Sequence, residues 1–440
     1  MRLRGTMRIN EKGHLEVGGV STLALAKEFG TPLYVIDEAL FRENCRCYRA
    51  AFGPDNRVVY AGKALICTAI CRIVEEEGLY LDVVSGGELY TALSARFPAR
   101  RIYFHGNNKS EDEIRQGISA GVGRFVVDSL VELRAIDRLA GEAGARPEVL
   151  LRITPGVEAH THDYIRTGQI DSKFGLPIST GQALTGVRQA VESPNIRLVG
   201  LHCHIGSQIF DLEPFREAAR VMLGFASEVR EATGWLLEEL DLGGGLGIYY
   251  VSGDDPPLIE DYADAITGAV RDTCGKQGIP VPRVVVEPGR SIAGPAGSTL
   301  YTVGVVKEIP GVRHYVSVDG GMGDNPRPAL YQAQYEAVLA ARVKEESTAT
   351  VTVAGKCCES GDVLIQNAHL PYPAPGDILL IPATGAYNYT MSMNYNRLPR
   401  PAMVLVKDGK AEVIVARESY EDLVRNDRVP ESLWKSSQRI

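Results

Sequence analysis

Eight short apolar runs, each followed by residues that can take part in chemistry, constrain this fold more than any other feature. Buried parallel strands are typically near-continuous apolar runs. Helical stretches alternate with these eight runs, and the pattern predicts a (β/α)8 barrel. The runs lie near Val58–Ala61, Leu81–Val84, Arg101–Phe104, Arg124–Val127, Val149–Ile153, Leu198–His202, Glu238–Leu242 and Arg283–Val286.

In a barrel of this kind the C-terminal ends of all the strands share one face, and that face holds the active site. The sequence therefore predicts one pocket that combines a lysine, histidines, a glycine-rich turn and a glutamate. The residues that follow the runs are Lys63, Ser85 to Gly87, His105, Asp128, Arg152 with Thr154, His204, Gly243 to Gly245 and Glu287.

Beyond Gly294 the pattern changes to strands with hairpin turns, which indicates a separate β domain. We expect a barrel over residues 37–294 and a β-rich domain from residues 1–36 plus 295–440. The N-terminal segment Arg8–Val17 resembles a hairpin that could join the β domain. The expected later strands are Thr299–Val306, Tyr315–Val318, Ala349–Ala354, Asp377–Ile381, Ala402–Val406 and Ala411–Val415, the last two joined by a hairpin turn at Lys407–Lys410.

Composition excludes several classes of function. A net charge of −8 over 440 residues, without a basic cluster, argues against a nucleic-acid surface. No apolar stretch reaches membrane-spanning length, and residues 1–10 lack the apolar core of a signal peptide. The eight cysteines form no C-x-x-C pair, so we expect free thiols and a cytoplasmic location.

Lys63 directly follows the first run, in Tyr60-Ala61-Gly62-Lys63-Ala64. Partial desolvation at that position is expected to lower the pKa of the amine and make it nucleophilic. The amine could then form a Schiff base with an aldehyde cofactor or a carbonyl substrate. Taken alone, a surface lysine is the simpler interpretation.

Two further strand ends carry groups that suit an anionic, aromatic ligand. Backbone N–H groups of the run Gly243–Gly247 could approach a phosphate, although a plain turn explains the run equally well. Glu287 could hold a heteroaromatic nitrogen protonated, and Arg290 could bind a phosphate or carboxylate bidentately. An internal Glu–Arg ion pair is the alternative.

The histidines favour a planar cofactor over a metal. His202 and His204 are two residues apart, but no E-x-x-H spacing supports a metalloenzyme, so we expect no metal site. His204 suits stacking on a cofactor ring, whereas His202 is expected in the core. In the segment Gly355–Asp362, a cysteine beside acidic residues is better suited to donating a proton than to acting as a thiolate.

Taken in order along nearly the whole chain, these motifs resemble the fold-type III pyridoxal-phosphate-dependent decarboxylases, and among them the diaminopimelate decarboxylase family. The resemblance implies an alanine racemase-like barrel with a C-terminal β domain, and pyridoxal 5′-phosphate as cofactor. The motifs that carry it are Tyr60–Ala64, Asp82–Leu89, His105–Ser110, His162–Gly168, Ser172–Gly175, His204–Gln208, Gly243–Gly247, Glu287–Arg290, Arg327–Tyr331, Cys358–Asp362 and Gly385–Tyr387.

The resemblance also implies roles for individual residues. Lys63 would hold the cofactor as a Schiff base, His204 would stack on its ring, and Glu287 would pair with the pyridine nitrogen. Cys358 would be the proton donor and, with Glu359, would enter from the partner subunit of an obligate homodimer. The other implied cofactor-binding residues are Ser207, Gly243, Gly244, Gly245, Gly289, Arg290 and Tyr387. The implied substrate-binding residues are Arg290, Arg327, Tyr331, Glu359 and Tyr387.

The implied activity is conversion of meso-2,6-diaminopimelate to L-lysine and CO2, the last step of lysine biosynthesis. The spacing of Arg327 and Tyr331 suits a distal carboxylate. That favours this substrate over ornithine, arginine or carboxynorspermidine. An alanine racemase would pair the pyridine nitrogen with an arginine, and a non-catalytic carrier would need only the barrel. A Schiff-base aldolase is the remaining alternative if the resemblance is set aside.

Overall fold

The computed structural model describes residues 2–157 and 172–434. The motif His162–Gly168 and the histidine at position 160 lie outside the described residues. Among the helices that the structure describes, none is both long and apolar enough to cross a membrane. All eight cysteines are free thiols, as expected.

The chain begins with a small antiparallel sheet and one helix, and then crosses to the barrel. Asp37 ends the fourth strand and caps the second helix, because its side chain accepts a hydrogen bond from the Leu40 N–H. These elements are β1 (Arg8–Ile9), β2 (Leu15–Val17), β3 (Val20–Ser21), α1 (Thr22–Phe29), β4 (Leu33–Asp37) and α2 (Glu38–Phe52).

Eight parallel strands close into a barrel, which confirms the predicted architecture. The first barrel strand pairs with the last, so the sheet has no open edge there. A short ninth strand, β10, pairs with β9 inside the long Pro155–Asn195 connection. The strands are β5 (Arg57–Ala61), β6 (Tyr80–Val83), β7 (Ile102–Phe104), β8 (Arg124–Val127), β9 (Glu148–Thr154), β10 (Leu176–Pro177), β11 (Arg197–His202), β12 (Glu239–Asp241) and β13 (Arg283–Val286).

Helices surround the barrel, and serines at three strand ends fix where helices begin. Ser85, Ser110 and Ser129 each accept a hydrogen bond from a backbone N–H in the first turn of the following helix. Each cap therefore fixes the first turn of the helix that follows its strand. The helices are α3 (Thr68–Glu76), α4 (Gly86–Ser94), α5 (Glu111–Ala120), α6 (Leu130–Ala143), α7 (Gln182–Glu192), α8 (Glu213–Thr233), α9 (Ile259–Gln277) and α10 (Arg290–Ala296).

A second, mostly antiparallel sheet follows the barrel, as predicted. β4 from the N-terminal segment lies between β14 and β20 in this sheet, and Lys407 pairs with Lys410 in the expected hairpin. Its elements are β14 (Gly297–Ile309), β15 (Arg313–Val318), α11 (Arg327–Tyr331), β16 (Val338–Leu339), β17 (Ala349–Ala354), β18 (Val363–Leu370), β19 (Ile378–Pro382), β20 (Ala402–Lys407), β21 (Lys410–Val415), α12 (Tyr420–Val424) and α13 (Glu431–Trp434).

The N-terminal hairpin packs against this second sheet. Leu15 and Val17 share a buried cluster with Leu300 and Val404. The division into a barrel domain, residues 37–294, and a β-rich domain, residues 1–36 with 295–440, stays a prediction.

The N-terminal end of the barrel is closed by an ionic cluster that has no part in the candidate site. Glu239 begins β12 and accepts hydrogen bonds from Tyr103 and from the guanidinium groups of Arg57 and Arg124. Burial alone would raise the pKa of Glu239, but these partners lower it below its ordinary value. Polar groups at this end of a barrel serve stability.

Candidate active site

Lys63 lies in a short 3-10 turn, Gly62–Ala64, directly after β5. Its Nζ is 3.6 Å from Oδ2 of Asp82, which lies in the neighbouring strand β6. A Cβ at position 62 would lie 2.7 Å from the backbone oxygen of Asp82, so only glycine allows this turn so close to β6. The turn therefore aims the lysine across the C-terminal face of the barrel.

The expectation that Lys63 has a lowered pKa is wrong. Burial does lower it, but the negative charge of Asp82 acts in the opposite direction, helped by Tyr387 and Glu287, and the pKa is raised. The amine is therefore held as an ammonium that pairs with Asp82. Sequence reasoning missed Asp82 as a partner, although an acidic residue inside a buried strand is a usable signal.

Glu287 follows β13 and is held by two histidines from other strands. Its Oε1 lies 2.6 Å from Nε2 of His105, and its Oε2 lies 3.3 Å from Nε2 of His202. Burial opposes ionisation, but His105 and His202 keep the pKa of Glu287 well below its ordinary value. The carboxylate can therefore hold a nearby ring nitrogen protonated.

His202 is buried, as expected, but it also belongs to the site through Glu287. Burial lowers the pKa of His202 to about 3, so its imidazole is neutral. Asp241 also faces Glu287, and burial followed by the Glu287 charge raises its pKa well above the ordinary value. Of the two neighbouring carboxyl groups, Asp241 is therefore the one whose ionisation is disfavoured.

The donor atoms of His105, His202, Asp241 and Glu287 lie within 4.8 Å of one another, a set that could in principle hold a metal ion. His105 Nε2 and Glu287 Oε1 are 2.6 Å apart in a close contact, while His202 Nε2 and Glu287 Oε2 form a hydrogen bond at 3.3 Å. Two ligands around one tetrahedral zinc ion would be about 3.3 Å apart, given bonds of about 2.0 Å. The atoms of His105 and Glu287 are therefore too close together to be neighbouring ligands of one such ion.

His204 lies beside Lys63 on the wall of the same cavity. Its pKa is well below the ordinary value because it is buried and because Lys63 and Arg152 are positively charged. Its Nδ1 accepts a hydrogen bond from the Gly244 N–H at 3.3 Å. A neutral imidazole with a fixed ring is suited to stacking on a planar cofactor.

The glycines that follow β12 and β13 are needed for close packing of neighbouring strand ends. A Cβ at Gly244 would lie 2.2 Å from the backbone oxygen of Glu287, and one at Gly243 would lie 2.7 Å from that of Cys203. At Gly245 and Gly289 the corresponding contacts would be 2.5 Å to the Gly206 oxygen and 2.9 Å to the Ala61 Cβ. These glycines let the ends of β5, β11, β12 and β13 meet around a small cavity that Lys63, Glu287 and Arg290 also line.

Arg290 is buried at the first turn of α10, with its guanidinium fixed on two sides. It donates to Ser207 Oγ at 2.8 Å and to the Tyr250 hydroxyl at 2.7 Å. Its guanidinium also lies over the ring of Tyr387, 4.8 Å from the centroid. The structure therefore brings together three residues that the sequence had singled out, together with Tyr250, which it had not.

Arg327 is buried at the start of α11, and Tyr331 lies one turn further along the helix. Both line the cavity that Lys63 faces. Arg327 donates to the hydroxyl of Tyr335 at 2.5 Å. The barrel and the β unit thus each contribute side chains to one cavity of about 740 Å³, a size typical of small-molecule sites.

Cys358 and Glu359 do not reach this cavity from their own chain. Both are exposed in the turn between β17 and β18, and neither is among the lining residues. The Cys358 N–H donates to the Asn396 side chain at 2.6 Å. Cys357 is buried, and burial together with Asp362 raises its thiol pKa to about 11, so the exposed thiol of the pair is Cys358.

The donor set fits pyridoxal phosphate. A lysine amine, a neutral histidine ring and an ionised buried glutamate line adjoining parts of the site, and Arg290 with Ser207 offers donors to a phosphate. On a barrel joined to a β unit, this arrangement defines a pyridoxal-dependent decarboxylase as the class of protein. Residues 38–294 match the family model described as the pyridoxal-binding domain of pyridoxal-dependent decarboxylases.

The chain is similar throughout its length to curated and solved proteins of one kind. The Bacillus subtilis diaminopimelate decarboxylase is 52% identical over 430 residues, covering 97% of this chain and 98% of that protein. The M. jannaschii diaminopimelate decarboxylase in complex with L-lysine superimposes with a TM-score of 0.92 at 39% identity, covering 98% and 99% of the two chains. The chain belongs to the diaminopimelate decarboxylase family of pyridoxal-phosphate-dependent enzymes.

Proposed function

We propose that this protein converts meso-2,6-diaminopimelate to L-lysine and CO2 with pyridoxal 5′-phosphate as cofactor. The main support is that one cavity is lined both by Lys63, which comes from the barrel, and by Arg327, which comes from the β unit. The reaction requires an amine that can bind the aldehyde of the cofactor, and Lys63 provides it. The substrate also requires a group that can bind its second carboxylate, and the guanidinium of Arg327 provides that. The M. jannaschii relative is 39% identical to this chain, and its structure is a complex with L-lysine, the product of this reaction.

The cofactor, when bound, supplies an aldehyde for the substrate amine and an electron sink for the bond that breaks. Lys63 would hold it covalently, and His204 would support one face of its ring. Glu287, kept ionised by its histidines, would keep the ring nitrogen protonated. The residues that would surround the phosphate are Ser207, Gly243, Gly244, Gly245, Gly289, Arg290 and Tyr387.

The substrate's remaining groups would be held on the β side of the cavity. Arg327, Tyr331, Arg290 and Tyr387 all line it and offer donors to the carboxylate that stays on the product. We assign proton donation to Cys358, which would protonate the carbon that has lost its carboxyl group, with Glu359 beside it at the substrate. Since both residues are exposed on their own chain, they would come from a second copy.

We therefore propose a homodimer with shared active sites. The division into residues 37–294 and residues 1–36 with 295–440 would place the cofactor on the first unit and the interface on the second. Such a dimer is isologous, so each site would combine Lys63 of one copy with Cys358 of the other. Eight free cysteines are consistent with a reducing, cytoplasmic location.

Shared sites predict recovery of activity from two inactive proteins. Lys63→Ala and Cys358→Ala proteins, mixed and allowed to exchange subunits, should recover up to about one quarter of wild-type activity. Half of the dimers are then heterodimers, and each contains one site with both residues intact. Steady-state CO2 release measures the recovery, and mixing each variant with itself is the control. Confirmed exchange without recovery would show that Cys358 does not act across the interface.

The proposed reaction is tested by offering three substrates to the purified protein. We expect CO2 and L-lysine from meso-diaminopimelate, and far slower release of putrescine from L-ornithine and of agmatine from L-arginine, because only the first has a distal carboxylate for Arg327. Chromatography of the amine products distinguishes these cases. Preferential turnover of ornithine or arginine would contradict the proposal.

A further inference from the structure

We propose that Tyr250 and Tyr335 are positioning residues that hold Arg290 and Arg327 for the distal carboxylate of the substrate. The inference rests on the proposed function, because it needs a substrate that carries this second carboxylate. Both tyrosines are buried, and Tyr250 lines the cavity that Lys63 faces. Neither was singled out by the sequence, where they lie outside the strand-end motifs.

Tyr250 contacts both arginines. Its hydroxyl accepts a hydrogen bond from Nη1 of Arg290 at 2.7 Å, while Ser207 holds the Nη2 and Nε side. The guanidinium carbon of Arg327 lies 4.7 Å from the centroid of the Tyr250 ring. One side chain therefore fixes the direction of Arg290 through its hydroxyl and supports Arg327 through its ring.

Tyr335 completes the arrangement on the other side of Arg327. Its hydroxyl accepts from Nη1 of Arg327 at 2.5 Å and donates to Oδ1 of Asn388 at 3.5 Å. The rings of Tyr335 and Tyr250 pack edge to face, 5.4 Å apart at 86°. The two tyrosines thus form a single packed unit against which the guanidinium of Arg327 rests.

The charge of this unit points to an anionic ligand. Arg290 and Arg327 are both buried, and within residues 2–157 and 172–434 neither forms an ion pair with an aspartate or glutamate. Two buried guanidinium groups without a carboxylate are costly unless a ligand supplies one. Burial raises the pKa of Tyr250, but the positive charges of Arg290 and, to a smaller extent, Arg327 lower it below the ordinary value.

The preceding residue offers a matched control. Tyr249 is next to Tyr250 in the chain, but its hydroxyl donates to Glu336 at 2.9 Å and its ring contacts Arg4 rather than the two site arginines. Tyr249→Phe removes a phenolic hydroxyl, as Tyr250→Phe does, but at the neighbouring position in the chain. It should leave binding and turnover unchanged.

The test compares L-lysine with cadaverine, which lacks the carboxylate but keeps both amines. In the holoenzyme, Tyr250→Phe should raise the dissociation constant of L-lysine about tenfold, the order expected when one hydrogen bond of a charged group is lost. The dissociation constant of cadaverine should not change. The KM of meso-diaminopimelate should rise more than kcat falls. The change in cofactor absorbance on titration gives both dissociation constants, and Tyr335→Phe should behave in the same way.

The outcomes separate this inference from the proposed function. If the wild-type protein releases no CO2 from meso-diaminopimelate, the proposed function fails. If it does, and both phenylalanine variants bind L-lysine as the wild type does, only the positioning role fails. Equal weakening of L-lysine and cadaverine would indicate general damage and would also overturn it. Should Tyr250→Phe not fold, the same comparison with Tyr335→Phe decides.

Discussion

Replacing Lys63 with alanine should abolish both decarboxylation and the visible absorbance of covalently bound cofactor. The side chain provides the amine that faces the cavity from the end of the first barrel strand, and its removal leaves no nucleophile there for the aldehyde. Absorbance spectra before and after borohydride reduction, with mass spectrometry of the peptide around position 63, measure the covalent link independently of turnover.

Lys276→Ala is the matched control for this substitution. Lys276 is exposed in the last turn of α9, so its loss should leave the absorbance band and turnover intact. Cofactor that stays covalently attached to the Lys63→Ala protein would mean that another amine forms the link, and the assignment of Lys63 would be wrong.

Replacing Glu287 with glutamine should lower kcat by at least about 10²-fold, the scale of one group that positions a catalytic proton. Glutamine keeps the size of the side chain and can still hydrogen-bond to His202, but it cannot carry the negative charge that keeps a ring nitrogen protonated. The cofactor dissociation constant should change much less, since the proposed phosphate contacts are untouched. Steady-state kinetics and cofactor titration measure the two quantities.

Glu239→Gln provides the same chemical change at the opposite end of the barrel. That carboxylate is bound by Arg57 and Arg124 and lies at the start of β12. Its loss should lower the melting temperature but leave kcat per folded molecule close to wild type. Normal turnover in Glu287→Gln would show that the nitrogen is protonated without this residue.

Local sequence pattern was sufficient for the barrel and most of the second sheet. Burial on both faces makes each barrel strand an apolar run, and this property is encoded residue by residue. Strand β18 (Val363–Leu370) was missed because exposed Gln366 and Asn367 interrupt its pattern. β18 lies at the edge of its sheet, where partial exposure weakens the apolar pattern that predicts a strand.

The identity of the residues at the strand ends was also readable from the sequence. Once eight parallel strands are recognised, Lys63, His204 and Glu287 must share one face, because barrel topology brings C-terminal strand ends together. The structure places all three around adjoining cavities.

The sequence by itself therefore determined the architecture, the family and the set of residues that gather at the barrel mouth. Only the tertiary structure decided the charge states of these residues and the neighbouring side chains that set them. Asp82 reverses the expected shift of the Lys63 pKa, and His105 and His202 keep Glu287 ionised. The physical reason is that hydrophobic periodicity is a local property, whereas a pKa depends on distances between charges on strands far apart in the chain.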